Sequence, residues 1–146
     1  MSKVLIVYAT RTGQTQNIAD LIAEGIRFTG IEAKIVNAAE VKGEDALAGY
    51  DGYVFWSPTY HGEMMQAMKT FLFLAAKADL AGKVGGAFGS FGWSGEAADR
   101  IYDTMQNLSN MKMAGSPLRL KSAALQGGLQ MAQDYGRSIG KMIAGR

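Results

Sequence analysis

The stretch Lys3 to Thr15 reads KVLIVYATRTGQT, and its reading decides the fold. Val4-Leu5-Ile6-Val7-Tyr8-Ala9 is an unbroken apolar run, rich in β-branched and aromatic residues. A strand buried on both faces has this composition, and parallel sheets are where such strands occur. Thr10-Arg11-Thr12-Gly13-Gln14-Thr15 is a short polar loop, after which Ile18, Leu21, Ile22 and Ile26 recur at helical spacing. The loop has two readings. Hydroxyl residues cap helices routinely, and Thr10 or Thr12 can do only that. The order strand, loop, helix also makes an anion seat, because unpaired backbone N–H groups and the positive end of the helix dipole point into the loop. Three threonine hydroxyls add donors, and Gly13 lets the backbone come close. A phosphate monoester suits such a seat. A nucleoside-triphosphatase loop is excluded because no Lys follows the glycine, and a dinucleotide fingerprint because G-x-G-x-x-G is absent.

Outward from this stretch the same alternation continues. Gly30 is a good stop for the first helix, and Ile31 to Val36 reads as a second strand. Asn37 to Lys42 is polar, and Glu44 to Tyr50 reads as a short helix. Gly52 to Trp56 is a third strand, with Trp56 read as core, and it ends in a loop over residues 57–62. Met64 to Ala76 carries a helical stripe, and Lys83 to Phe88 is a fourth strand. A glycine-rich loop from Gly89 to Gly95 leads into a helix over Glu96 to Leu108. Pro117 to Leu125 reads as a fifth strand and Met131 to Ile143 as the closing helix. This pattern predicts an α/β fold of three layers, a five-stranded parallel sheet with helices on both faces joined by right-handed crossovers. The loops after strands one, three and four then gather at the carboxyl edge, where such sheets bind ligands.

With 146 residues and no repeat or linker, the expectation is a single domain over 1–146. There is no cysteine, which excludes disulfides, thiol redox chemistry and iron–sulfur ligation. One histidine excludes a histidine-rich metal site, so any redox chemistry rests on an organic cofactor. The formal net charge is +2 and the basic residues are scattered, which argues against nucleic acid as a partner. No apolar run reaches a membrane-spanning length, and the first is too short for the core of a signal peptide. The expectation is a soluble cytoplasmic protein, a monomer or weak oligomer.

The three loops carry unusual residues. The second offers Tyr60 and His61, the third Phe91 and Trp93, all beside glycines. Exposed planar side chains in such loops read as covers for something flat. A phosphate seat flanked by two aromatic loops points to flavin mononucleotide, FMN.

These loops resemble those of the flavodoxin family, and the resemblance spans nearly the whole chain. Thr10-Arg11-Thr12-Gly13-Gln14-Thr15 is similar to the family's T/S-x-T-G-x-T phosphate loop. Ser57-Pro58-Thr59-Tyr60-His61-Gly62-Glu63 and Gly89-Ser90-Phe91-Gly92-Trp93-Ser94-Gly95-Glu96 are similar to its two ring-binding loops. GSFGWSGEA resembles most the flavodoxin domain of flavodiiron proteins, and SPTYHGEMMQAMKTF is also similar to flavodoxin-like NAD(P)H:quinone reductases. The resemblance implies the flavodoxin-like strand order 2-1-3-4-5. It gives the phosphate Thr10, Thr12, Gly13, Gln14 and Thr15, and Arg11 within the same loop is a further candidate. It gives the isoalloxazine ring Ser57, Pro58, Thr59, Tyr60, His61 and Gly62 on one side, and Ser90, Phe91, Gly92, Trp93, Gly95 and Glu96 on the other. It assigns no metal ligand and no acid, base or nucleophile. Gly62-Glu63 falls where the family has a glycine–acid peptide whose carbonyl meets flavin N5–H and favours the one-electron semiquinone.

Three departures stand out. Arg11 is charged where the family has a small neutral residue; it either pairs with the phosphate or points to solvent. The chain is slightly basic, whereas flavodoxins are strongly acidic. A single histidine cannot build a diiron site. His61 has two readings, an ordinary loop histidine or a flavin contact that titrates near neutral pH. Two functions are carried forward: an electron-transfer protein shuttling single electrons between redox partner proteins, and an FMN-dependent NAD(P)H:quinone reductase. A phosphoacceptor receiver is set aside, since Ala9-Thr10 and Ser57-Pro58 are not acids.

Overall fold

The computed structural model describes residues 2–9, 16–41, 43–56, 59–60, 63–64, 66–90, 96–115, 118–120 and 128–145. In chain order its elements are β1 (Lys3–Tyr8), α1 (Gln16–Phe28), β2 (Glu32–Asn37), β3 (Gly52–Trp56), β4 (Thr59–Tyr60), β5 (Glu63–Met64), α2 (Gln66–Lys77), β6 (Val84–Ser90), α3 (Glu96–Asn107), β7 (Lys112–Met113), β8 (Leu118–Leu120) and α4 (Gly128–Ala144).

The apolar run of β1 is the centre of the sheet. Val4 pairs in parallel with Ala33 of β2 on one side and Gly52 of β3 on the other. β6 pairs with β3, Trp56 opposite Phe88. The order is β2-β1-β3-β6, and β7 and β8 share the fifth position, both parallel to β6. This is the expected five-position parallel sheet in the order 2-1-3-4-5.

Strand alternation divides the core between two faces. Val4, Ile6, Val54, Trp56, Val84 and Phe88 meet α1 and α4 through Ile22, Ile26, Tyr135 and Ile139. Leu5, Val7, Tyr53, Phe55 and Ala87 meet α2 and α3 through Met68, Phe71, Leu72, Ile101 and Met105. A strand covered on both faces needs apolar side chains at every position, which is why β1 and β3 read as continuous runs rather than alternating ones. β2 is an edge strand and exposes Glu32 and Lys34. Helix α1 ends at a residue with φ +85°, Gly30, whose N–H donates to Arg27 O.

Three elements differ from the reading of the sequence. The helix expected over Glu44 to Tyr50 is a 3-10 turn, Glu44–Leu47, held between Gly43, which offers no side-chain cap, and Gly49 at φ +90°. Four residues with no N-cap cannot propagate an α-helix, and the turn serves to bury Leu47. The loop after β3 contains a hairpin, β4 antiparallel to β5 with Thr59 opposite Met64 and Tyr60 opposite Glu63. The fifth strand starts earlier than its proline, at Lys112, and comes in two pieces. Ser116 and Pro117, between the pieces, and residues 121–127 lie outside the described residues.

Candidate functional site

Between β1 and β3 the strand order reverses. The chain leaves β1 for β2 on one side and returns for β3 on the other. Neighbouring crossovers therefore diverge above this pair, and a crevice forms outside the carboxyl ends of the strands. The ends there are Tyr8 of β1, Trp56 of β3 and Ser90 of β6. Each runs directly into one of the three candidate loops. The topology thus brings all three to one edge, as the alternation of elements predicts.

The first loop joins Ala9 to Gln16. Ala9 is buried and its N–H donates to Trp56 O at 3.0 Å, which stitches the exit of β1 to the end of β3. Helix α1 has no acid in its first turn, so its positive dipole end faces the loop unopposed. Thr10, Arg11, Thr12, Gly13, Gln14 and Thr15 themselves lie outside the described residues. In the second loop, Thr59 and Tyr60 form β4, and Ser57, Pro58, His61 and Gly62 lie outside the described residues. In the third, Ser90 ends β6 and Glu96 opens α3, while Phe91, Gly92, Trp93 and Gly95 lie outside them. The β4–β5 hairpin lies against α3, on the α2/α3 side of the sheet.

A row of aromatic residues closes the core beneath this edge. Tyr8, Trp56 and Phe88 sit side by side in register on the α1/α4 face. The Trp56 and Phe88 rings are 5.9 Å apart and tilted by 45°. Trp56 is 1% exposed, which bears out its reading as core, yet its indole Nε1 has no hydrogen-bond partner among the described residues. Sequence reasoning missed that feature. The signal available was a tryptophan at the last position of a central strand, where a ring has apolar neighbours below it and loops above.

Among the described residues, the titratable groups with displaced pKa values lie away from this edge. Burial pushes the Tyr135 phenol well above its ordinary value, and burial also raises Tyr53. Among the described residues no group of acids or histidines could hold a metal ion, and no helix is long and apolar enough to cross a membrane. A groove of about 580 Å³ lined by Lys3, Arg27, Glu32, Lys34 and Tyr50 opens at the opposite, amino-terminal edge of the sheet.

A family model for the flavodoxin domain matches residues 5–137. The chain belongs to the flavodoxin family. It is similar to a putative diflavin flavoprotein of Nostoc sp., 29% identical over 143 residues, covering 96% of this chain and 25% of that protein. It is 42% identical over 101 residues to a flavodoxin of Aquifex aeolicus, covering 65% of this chain and 54% of that one. Among solved structures, a flavodoxin from the domain Archaea superposes with a TM-score of 0.89 at 29% identity, covering 97% of this chain and 99% of that chain. The chain therefore spans about a quarter of the diflavin relative and about half of the curated flavodoxin. Family membership makes the carboxyl edge above β1 and β3 the candidate cofactor site, and the acid-free start of α1 fits a phosphate there.

Proposed function

We propose that this chain binds FMN at the carboxyl edge of its sheet and carries electrons between redox partner proteins in a cytoplasmic setting. The observation that carries the reading is the reversal of strand order between β1 and β3, beside which the carboxyl ends of β1, β3 and β6 open the three candidate loops. Two further features support it: the donor end of α1 carries no acid, and the one unpartnered buried donor among the described residues, Trp56 Nε1, lies at the same edge.

When bound, FMN supplies the redox chemistry, accepting and donating electrons singly or in pairs. The residues of this chain bind it and tune it. Residues 10–15 would hold the phosphate with backbone N–H groups, threonine hydroxyls and the dipole of α1. Residues 57–62 and 90–96 would cover the ring, with Trp93 on one face and Tyr60 or His61 on or near the other. The peptide from Gly62 to Glu63 would lie where the family has a glycine–acid peptide, and its carbonyl would be the acceptor this chain offers to the ring. Glycine suits that position because it tolerates both peptide orientations. No side chain in this scheme acts as acid, base or nucleophile.

An anaerobic reductive titration of the FMN-loaded protein, followed by visible absorption, tests the reading. A long-wavelength band that rises and falls during the titration is the expected result for a one-electron carrier. Rapid bleaching by NAD(P)H alone, with no such band, would transfer the chain to the quinone reductases. Failure to bind FMN would overturn both.

A further inference from the structure

Trp56 carries a donor that the fold does not use. An indole N–H can only donate, and buried donors are nearly always paired. Here the ring is fully buried and Nε1 has no hydrogen-bond partner among the described residues. The side chains that share its core cluster are apolar but for tyrosines, and the buried one, Tyr135, has its hydroxyl engaged with Ala87. Trp56 is the last residue of β3, and its own carbonyl accepts from the residue preceding the first loop. The ring therefore lies at the boundary between the core and the crevice, on the face that α1 covers. The hairpin and the start of α3, which carry the ring-covering loops, belong to the other face. A ligand spanning the edge thus presents its phosphate end on the Trp56 side and its flat end on the α3 side.

We infer that Trp56 Nε1–H donates a hydrogen bond to the phosphate of bound FMN, as a specificity contact additional to the 10–15 loop. The inference rests on the flavin reading above. The contact makes Trp56 a discriminator between FMN and its dephosphorylated form, riboflavin. A charged acceptor strengthens a hydrogen bond, and burial excludes the water that would compete for it.

The test compares wild type with Trp56→Phe, which keeps a planar apolar ring and removes the N–H. Affinities for FMN and riboflavin are read from quenching of flavin fluorescence. FMN binding is expected to weaken about tenfold and riboflavin binding to change less than twofold. In parallel, the wild-type protein is labelled with nitrogen-15. It has two tryptophans, so two indole N–H signals appear, and the variant assigns them. The Trp56 signal is expected to move strongly with FMN and little with riboflavin. Equal weakening of both ligands would show that the ring only fills space, and the inference would fall. Unchanged FMN affinity in the variant, beside a wild type that binds FMN, would overturn Trp56's role alone. A folded wild type that does not bind FMN would overturn the flavin reading and this contact with it. If Trp56→Phe does not fold, a low-temperature urea series on the wild-type indole signals assigns Trp56 as the more protected, and the FMN shift decides.

Discussion

Ala87 shows how one side chain can complete a sheet. In β6 the odd-numbered residues turn their polar groups toward the fifth position. Lys83 O accepts from Lys112 N–H and Gly85 O from Ala114 N–H, both at 2.8 Å. Ala87 comes next, between the stretches of β6 that β7 and β8 cover. The hydroxyl of Tyr135 takes the strand's place, accepting from Ala87 N–H at 2.8 Å and donating to Ala87 O at 3.1 Å. Gly86 admits the ring, since a Cβ there would stand 2.8 Å from Ile139 Cδ1 and 2.9 Å from Tyr135 Oη. Tyr135→Phe leaves two buried backbone groups unpaired, so a loss of about 2–3 kcal/mol is expected, seen as a lower urea midpoint at constant slope. The same phenol sets an alkaline limit. Burial raises its pKa above the ordinary 10.0, so the folded chain keeps the proton after the unfolded chain has lost it. The stability this contributes is complete below pH 10 and lost above it, at up to about 1.4 kcal/mol per pH unit. In Tyr135→Phe the alkaline slope is expected to become shallower without vanishing, because Tyr53 is raised by burial too and donates to Leu47 O. A slope unchanged by the substitution would remove Tyr135 from the account.

At the scale of elements, α1 and α4 meet backbone to backbone. A Cβ on Gly25 would lie 2.0 Å from Gln133 O, and one on Gly136 would lie 2.1 Å from Ile22 O. These glycines sit inside helices, where exchange for alanine ordinarily gains up to about 1 kcal/mol. Here the sign is expected to reverse. Gly136→Ala must push the helices apart, and a net loss of about 1–3 kcal/mol is expected from urea unfolding. A gain in stability would mean that α1 and α4 do not approach so closely. The consequence reaches the candidate site, because α1 begins directly after residues 10–15, the proposed phosphate loop. Gly136→Ala is also expected to weaken FMN binding, since displacing α1 moves its donor end relative to β1.

At the scale of the whole molecule, the sheet separates two cores, and the cofactor edge straddles both. A ligand held there by loops from β1, β3 and β6 ties together elements on the two faces. Binding to the folded state alone stabilises it by mass action, about 2.7 kcal/mol at a hundredfold excess over Kd. For a chain of this size that corresponds to a rise in Tm of roughly 5–10 °C, measurable by following far-ultraviolet circular dichroism with and without FMN. Riboflavin at the same concentration is expected to raise Tm less, because it lacks the phosphate that the acid-free end of α1 would hold. Equal shifts from the two ligands would remove the phosphate seat.

By itself the sequence determined the strands of the sheet centre, the helical stripes and their alternation, and with them a parallel sheet and its carboxyl edge, while the strand order came from the family resemblance of the loops. These are local properties: an apolar run such as Val4 to Val7 or Tyr53 to Trp56 states its own burial on both faces. The candidate site was read in the same way, as loop motifs at 10–15, 57–62 and 90–96 following three strands, and the described residues include the strand ends that open them. Tertiary structure decided what depends on distant partners. Lys112-Met113 is too short to signal a strand until Val84 and Gly85 lie beside it. Thr59-Tyr60 is a strand only because Glu63-Met64 turns back on it. Gly25 and Gly136 are ordinary helix residues until the two helices cross, and Tyr135 is ordinary core until the fifth strand is found interrupted at Ala87. The unpaired nitrogen of Trp56 belongs with these: whether a buried donor finds an acceptor depends on neighbours contributed by other elements, and periodicity along one chain segment does not encode them.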